Sequence, residues 1–282
     1  MLDIKEKLTS NVQLVEAVLE TCYSNSYPDF QQLIEAQKYG LLGGGKRIRA
    51  FLVLEMCRLF SGDIAPALPY ACAIEMIHAS SLIHDDMPCM DNDDMRRGKP
   101  STHKKFGESL ALLSGDAMMV KAFEVAVKNN MLSLEQNAKA VEILAESTGD
   151  CGMLAGQTMD IKAASEKLDF ETLIRLHKLK TGKLISASAK LGCLAAGIDE
   201  NDERCALAIK YAENVGLAFQ IIDDILDYNE GKRERNSFLS FMSVEEATKY
   251  ALDLTETGIS AISHYDDGTF TELAKYLIKR EY

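Results

Sequence analysis

The sequence predicts an all-α protein, and three features of its composition support that prediction. Only five prolines occur in 282 residues, tryptophan is absent, and long stretches are rich in Ala, Leu, Glu and Lys, which favour helices. Apolar residues make up 47% of the chain, enough for a sizeable core. No strand pattern, linker or low-complexity tract is recognisable. Residues 1–282 are therefore expected to form a single all-α domain, a helical bundle.

Charge and cysteine content argue against several classes of partner and location. The formal net charge is −12, so nucleic acid is not an expected partner. Seven cysteines without a C-x-x-C pair indicate reduced thiols and a cytoplasmic protein. No secretory signal and no apolar run of membrane-spanning length is recognisable, so no membrane span is expected.

The N-terminal part carries a candidate anion site. Residues 2–25 have the apolar spacing of an amphipathic helix. Gly43–Gly45 then open a second helix, with Lys46 and Arg49 three residues apart on one face. Backbone N–H groups and the helix dipole at such a start favour an anion. The alternative is a flexible turn followed by an exposed basic helix start.

A further helix is predicted over residues 66–86, and it carries His78 seven positions before Asp85. Seven residues are nearly two helical turns, so the two side chains face the same way. A core histidine with satisfied hydrogen bonds is the alternative interpretation of His78.

The same helix runs into five aspartates within ten residues, beginning with Asp85, Asp86 and Asp91. Carboxylates packed so closely repel one another unless a cation lies among them. Mg²⁺ fits best, since it takes one or two carboxylates together with water and phosphate oxygens. Pro88 breaks the helix and lets Asp91 come back towards Asp85. A solvated acidic loop is the alternative. Two arginines that can pair bidentately with phosphate follow: Arg96 and Arg97.

The sequence after the first aspartate cluster predicts further helices and a second aspartate cluster. Helices are predicted over 106–128, 134–147 and 200–228. Gly182 predicts a kink, because glycine costs about 1 kcal/mol relative to alanine inside a helix. In the last of these helices two aspartates lie four residues apart among apolar residues, and so share one face: Asp223 and Asp227. Two such clusters, each on a helix, predict a metal site with carboxylate ligands on two opposite sides.

These motifs resemble those of the trans-isoprenyl diphosphate synthases, which make farnesyl and geranylgeranyl diphosphate. The two aspartate clusters carry the resemblance, together with Arg96–Arg97 after the first of them. Further matches are the Gly-Lys-Arg segment, the Gly-Gln-x-x-Asp sequence that ends at Asp160, and Lys180–Gly182. The resemblance covers nearly the whole chain and implies the isoprenoid-synthase helical bundle around a central cavity.

The resemblance also implies a reaction and a set of site residues. Isopentenyl diphosphate would condense head to tail with dimethylallyl, geranyl or farnesyl diphosphate, giving farnesyl or geranylgeranyl diphosphate plus diphosphate. Three Mg²⁺ ions, or Mn²⁺ in their place, are expected on Asp85, Asp86, Asp91, Asp223 and Asp227. The allylic diphosphate is expected on Arg96, Lys180, Thr181 and Gln220. Isopentenyl diphosphate is expected on Lys46, Arg49, His78 and Arg97. The residues expected to serve catalysis are Asp85, Asp86, Asp91, Arg96, Lys180 and Asp223.

Beyond Asp227 the resemblance weakens, because the family has a longer loop with two lysines there. Either this loop is short in the protein, or a segment is missing from the sequence. Lys232 is expected to replace the first lysine and contact substrate, and Arg235 to replace the second. Residues 273–282 are expected to form a short helix that covers the site.

Product length is expected to depend on the residues about one turn before Asp85, which are Ser80 and Ser81. Bacterial members that make farnesyl diphosphate carry an aromatic ring at the position of Ser80. A serine leaves room for more methylene groups, which predicts geranylgeranyl diphosphate as a major product and farnesyl diphosphate as its competitor. Met118 or Met119 could instead fill the space.

A homodimer is expected through the apolar faces of helices 107–127 and 184–198.

Two other classes of function remain open. A class I terpene cyclase shares the first aspartate motif but needs only one diphosphate site, whereas the basic residues assigned to isopentenyl diphosphate indicate a second. A non-catalytic helical subunit would need neither aspartate motif, and both are intact.

Overall fold

The computed structural model of the chain describes residues 3–23, 28–231 and 236–279. Its α-helices, in chain order, are α1 (Ile4–Thr21), α2 (Gln31–Leu41), α3 (Ile48–Ser61), α4 (Leu68–Asp85), α5 (Thr102–Phe106), α6 (Glu108–Val127), α7 (Leu134–Thr148), α8 (Met153–Ala163), α9 (Phe170–His177), α10 (Lys183–Ala195), α11 (Glu203–Asn229), α12 (Val244–Ile262) and α13 (Thr269–Ile278). Short 3₁₀ turns cover Pro28–Phe30, Ala65–Ala67 and Phe238–Ser240, and a π-helical stretch, Lys178–Gly182, joins α9 to α10. The predicted all-α class is confirmed.

The structure differs from the predicted elements around the first aspartate cluster. A two-residue antiparallel ladder pairs β1 (Met95–Arg96) with β2 (Lys99–Pro100), although the sequence pattern predicts no strand. The helix predicted over 106–128 begins only at Glu108, because the φ of 84° at Gly107 lies outside the helical region and separates α6 from α5. Both differences are local, and neither changes the helical character of the fold.

Two inner helices organise the packing. α4 is buried on nearly all sides, as a helix that is apolar all round must be, and it packs against α3 and α6. α11 packs between α10 and α12. Because α4 ends at Asp85 and α11 ends at Asn229, the packing that buries these helices also fixes the two aspartate clusters.

Side-chain caps define where several of the packed helices begin. Asp202 accepts the N–H of Arg204 at the start of α11. Ser133 and Gln136 form a reciprocal capping box at the start of α7. Such caps satisfy backbone donors that the first helical turn leaves unpaired.

Among the described residues, α11 has the length and composition of a helix that could cross a membrane. A core helix in a water-soluble protein meets the same two criteria, and α11 packs along α10 and α12. The finding is therefore weak evidence for a membrane span.

Candidate active site

The first aspartate cluster forms a reverse turn at the C-terminal end of α4. The N–H of Asp91 donates to the carbonyl oxygen of Asp85 at 2.9 Å, so the chain doubles back around Pro88, where a helix cannot continue. This return brings residue 91 beside residue 85. Asp86 is buried and accepts a hydrogen bond from Arg96 Nε at 2.8 Å. In this structure Asp86 therefore pairs with Arg96, whose Nη2 also donates to Asp93 Oδ2 at 3.1 Å.

Asp85 and Asp91 lie in surroundings that disfavour their negative charges. Burial raises the pKa of Asp85 to about 6; Lys180 opposes this shift and Asp91 adds to it. Burial is also the main cause of the raised pKa of Asp91. Carboxylates of this kind attract a cation.

The donor set fits Mg²⁺, which binds one or two carboxylates and fills its other positions with water and phosphate oxygens. Within residues 3–23, 28–231 and 236–279, no three His, Cys, Asp or Glu side chains form a group that could hold a metal ion. Asp85 and Asp91 offer carboxylate oxygens, which Mg²⁺ prefers as ligands. Substrate oxygens and water would have to complete its coordination.

The π-helical stretch between α9 and α10 carries Lys180 and Thr181. The sequence predicts a kink at Gly182, but its backbone remains helical, with φ −61°, and the helix widens instead. Such widened turns occur frequently at functional sites. Lys180 Nζ forms an ion pair with Asp160 of α8. A Cβ at Gly156 would overlap the backbone nitrogen of Lys180, so glycine is what lets α8 approach this stretch.

Thr181 connects the π-helical stretch to α11, where the second aspartate cluster lies. Its Oγ1 donates to Gln220 Oε1 at 3.2 Å, one helical turn before Asp223. Asp223 and Asp227 are half-buried and share a face of α11. Asp224 is turned to another partner, since it accepts a backbone N–H from the following 3₁₀ turn at 2.7 Å.

Four basic residues predicted to bind isopentenyl diphosphate line one cavity of about 340 Å³. These residues are Lys46, Arg49, His78 and Arg97. The expectation that Lys46 and Arg49 share a helix face is wrong, because α3 begins at Ile48 and Lys46 precedes it. Between Lys46 and Arg49, Arg47 adopts a left-handed backbone conformation, with φ 49°. Lys46 and Arg49 lie on either side of this turn, and both line the cavity.

A second cavity, of about 370 Å³, adjoins the first. Arg49, His78 and Thr181 line both cavities, whereas Asp85 and Lys180 line the second. Burial, reinforced by nearby arginines, lowers the pKa of His78 well below its usual range. The imidazole is therefore neutral near pH 7 and can still donate one N–H to a phosphate oxygen.

Two of the three consecutive glycines lie against the side chain of Arg97. A Cβ at Gly44 would lie 2.9 Å from Arg97 Cδ, and a Cβ at Gly45 would lie 2.9 Å from Arg97 Nη2. These glycines therefore let the backbone pass closely over Arg97, which no motif rule for a helix N-terminus would predict.

Two other residues of the basic cavity, Arg47 and Glu75, are not among the site residues predicted from the sequence, although Arg47 belongs to the Gly-Lys-Arg segment. Both are buried. Glu75 lies three residues before His78, on the same face of α4, and this spacing is the signal that could have identified it. Lys232 and Arg235, which the sequence also proposes, lie outside the described residues.

Of the two serines expected to limit the cavity, Ser80 and Ser81, only Ser81 lines it in the structure. Ser81 lines the second cavity, whereas Ser80 is fully buried and donates to the carbonyl of Ile77 at 2.8 Å. A residue five positions away on a helix is rotated by about 140°, and one four positions away by only about 40°. Met119 also lines this cavity.

The chain is similar to curated and solved prenyl diphosphate synthases over nearly its full length. It is 38% identical to a geranylgeranyl diphosphate synthase of Cyanophora paradoxa, over 95% of this chain and 93% of that protein. It is 35% identical to a dimethylallyltranstransferase of Fischerella ambigua, over 99% of this chain and 84% of that protein.

Solved structures agree with these sequences. A farnesyl/geranylfarnesyl diphosphate (FPP/GFPP) synthase of Zymomonas mobilis superimposes with a TM-score of 0.90 at 36% identity, covering 98% of both chains. A geranyltransferase of Legionella pneumophila superimposes with a TM-score of 0.91 at 33% identity, covering 98% of this chain and 96% of that one. The sequence model of the polyprenyl synthetase family matches residues 30–237. The chain therefore belongs to the polyprenyl synthetase family.

Proposed function

We propose that this chain is a short-chain prenyltransferase that condenses isopentenyl diphosphate head to tail with dimethylallyl, geranyl and farnesyl diphosphate. The products are farnesyl and/or geranylgeranyl diphosphate, together with diphosphate. The observation that supports this function best is the pair of adjoining cavities. One carries five basic side chains beside apolar ones, and the other combines Asp85 and Lys180 with an apolar wall. Residues 1–282 would act as one domain.

Mg²⁺ is the proposed cofactor, with three ions per site and Mn²⁺ as a substitute. Asp85, Asp91 and Asp223 would hold the ions, with help from Asp86 and Asp227. The raised pKa of the half-buried Asp85 supports this assignment, because a nearby cation would relieve the cost of its charge. When bound, Mg²⁺ would neutralise the charge of the diphosphate leaving group.

The side chains of the basic cavity would bind the diphosphate of isopentenyl diphosphate. Lys46, Arg49 and Arg97 supply positive charge there, and neutral His78 supplies an N–H donor. Among the described residues, none accepts a hydrogen bond from the buried Nε of Arg49, as expected of a donor that awaits a ligand.

The allylic diphosphate would bind in the second cavity. Lys180 and Thr181 line this cavity, and Gln220 accepts the hydrogen bond of Thr181. Arg96 would contribute after exchanging part of its contact with Asp86 for phosphate. The apolar wall of the cavity would exclude water, which would otherwise quench an allylic cation.

A homodimer is proposed through α6. Leu113, Val120 and Val127 recur at seven-residue spacing along one face of α6 and are 56%, 69% and 47% exposed. Apolar stripes of this kind mark protein interfaces. The expectation that 184–198 forms a second dimer face is wrong for α10, which is buried within the chain against α3, α7 and α11.

One assay tests the proposed reaction. The purified protein is incubated with Mg²⁺, isopentenyl diphosphate and each of the three allylic diphosphates, and the products are identified by chain length. Prenyl diphosphates of C15 or C20, and their loss when a chelator removes Mg²⁺, are expected. Cyclised hydrocarbons formed from an allylic diphosphate alone would instead support the terpene cyclase. No product under any condition would support the non-catalytic subunit.

A further inference from the structure

The buried carboxylate of Glu75 faces the cavity proposed for isopentenyl diphosphate. Among the described residues that line this cavity, Glu75 alone is acidic. An anion site gains nothing directly from a carboxylate, so its presence needs another reason. Its side chain is only 2% exposed, and a buried carboxylate is stable only with partners that offset its lost hydration.

Each oxygen of Glu75 contacts the segment that enters α3. Oε1 accepts the backbone N–H of Ala50 at 3.0 Å, and Oε2 accepts Nη1 of Arg47 at 3.3 Å. The N-cap residue of α3, Arg47, makes no side-chain capping bond. Glu75 thus supplies from α4 the anionic cap that the first turn of α3 lacks.

Arg47 itself has an unusual backbone conformation. Its φ of 49° and ψ of 40° lie in the left-handed region, which residues other than glycine seldom adopt. Its guanidinium is buried and donates to Glu16 Oε1 at 3.1 Å and to the carbonyl of Leu41. Arg47 is therefore held in the protein interior by several hydrogen bonds, two of which are to the carboxylates of Glu75 and Glu16.

The left-handed turn at Arg47 separates the two residues that serve the cavity. Lys46 precedes the turn and Arg49 follows it, and both line the cavity. If the turn relaxed to an ordinary conformation, the direction of the chain before α3 would change. Lys46 would then no longer be held on the same wall as Arg49.

We propose that Glu75 is a positioning residue for the isopentenyl diphosphate subsite, which it organises by fixing Arg47 and the first turn of α3. This inference rests on the proposed function of that cavity. Glu75 does not bind the substrate. It holds the segment whose neighbouring side chains do.

The substitution Glu75→Gln tests the inference, because it keeps the shape and an acceptor for the N–H of Ala50 but removes the charge that holds Arg47. The KM for isopentenyl diphosphate should rise at least about fivefold. The kcat and the KM for the allylic substrate should stay within about twofold, since neither the reacting atoms nor the second cavity is altered. A role limited to folding would not produce this split.

A matched control is Glu55→Gln. Glu55 is also 2% exposed and accepts bonds from Asn11 at 2.8 Å and Lys7 at 2.7 Å, but it does not line the basic cavity. This variant should leave the KM for isopentenyl diphosphate within about twofold of wild type. An equal rise in both variants would overturn the inference, because any buried charge would then have the same effect.

The sign of the effect separates positioning from simple electrostatics. If Glu75 acted only as a negative charge, its removal would strengthen anion binding and lower the KM. A lowered or unchanged KM would therefore overturn the inference. Calorimetric binding of inorganic diphosphate should weaken in parallel in Glu75→Gln. This measurement needs no turnover, so it tests the role of Glu75 even if the proposed reaction is not observed.

Should Glu75→Gln fail to fold, Glu16→Gln decides the question. Glu16 reaches the same guanidinium, its side chain is 31% exposed, and it does not line the cavity. A rise of about threefold or more in the KM for isopentenyl diphosphate at constant kcat supports the inference. A KM closer to that of the wild type contradicts it.

Discussion

At the scale of single residues, the carboxylates of the second aspartate cluster have different surroundings, and we expect them to have different roles. Asp223 shares a helix face with Asp227 and is assigned to metal binding, whereas Asp224 accepts a backbone N–H at 2.7 Å. Asp223→Asn should lower kcat at least about 100-fold, because it weakens a ligand near the developing charge. Asp224→Asn keeps an acceptor oxygen and should stay within a few-fold of wild type. Steady-state turnover at saturating Mg²⁺ measures both, and equal losses would contradict the assignment.

We also expect product length to depend on single side chains. Because Ser81 lines the second cavity and Ser80 does not, Ser81→Phe should shorten the main product by at least one isoprene unit. The ring would occupy space that the growing chain needs, and each excluded methylene forfeits about 0.8 kcal/mol of burial. Chromatography of the dephosphorylated products measures the effect. An unchanged product from Ser81→Phe, with shortening by Ser80→Tyr, would restore the expectation drawn from the sequence.

At the scale of elements, the approach of α8 to the π-helical stretch depends on one glycine. Gly156→Ala would force a Cβ against the backbone of Lys180, so it should destabilise the protein by about 2–3 kcal/mol and reduce activity. Gly182→Ala is the matched control. Its Cβ would meet the nearest atom at 3.6 Å on a helical backbone, so it should be stabilising by about 0.5–1 kcal/mol. Denaturant unfolding compares the two, and equal effects would refute the packing argument.

The sequence predicts the main helices and both aspartate clusters because apolar period and carboxylate spacing are local properties. The sequence does not predict which side chains line the same cavity, since that depends on how each helix is rotated about its axis and on tertiary contacts. Lys46 precedes its helix, and Ser81 rather than Ser80 faces the cavity. The widened turn at Lys178–Gly182 and the role of Glu75 arise from contacts between distant segments.

At the scale of the whole molecule, the exposed stripe on α6 predicts a homodimer. Val120→Asp should produce a monomer at micromolar concentration, because it places a charge at the centre of a proposed apolar interface. Leu252→Asp is the control, since Leu252 is 46% exposed on α12, away from this stripe. Light scattering gives the mass of each variant. A monomeric wild-type protein would contradict the prediction.

We propose that the two adjoining cavities bind two different diphosphates. Two-substrate steady-state kinetics of Arg97→Lys and Lys180→Gln test it most directly. Arg97 lines the first cavity and Lys180 the second. Arg97→Lys should raise the KM for isopentenyl diphosphate about tenfold, and Lys180→Gln should raise the KM for the allylic substrate by a similar factor. Each variant should leave the other constant nearly unchanged. Both constants rising together in both variants would contradict the claim.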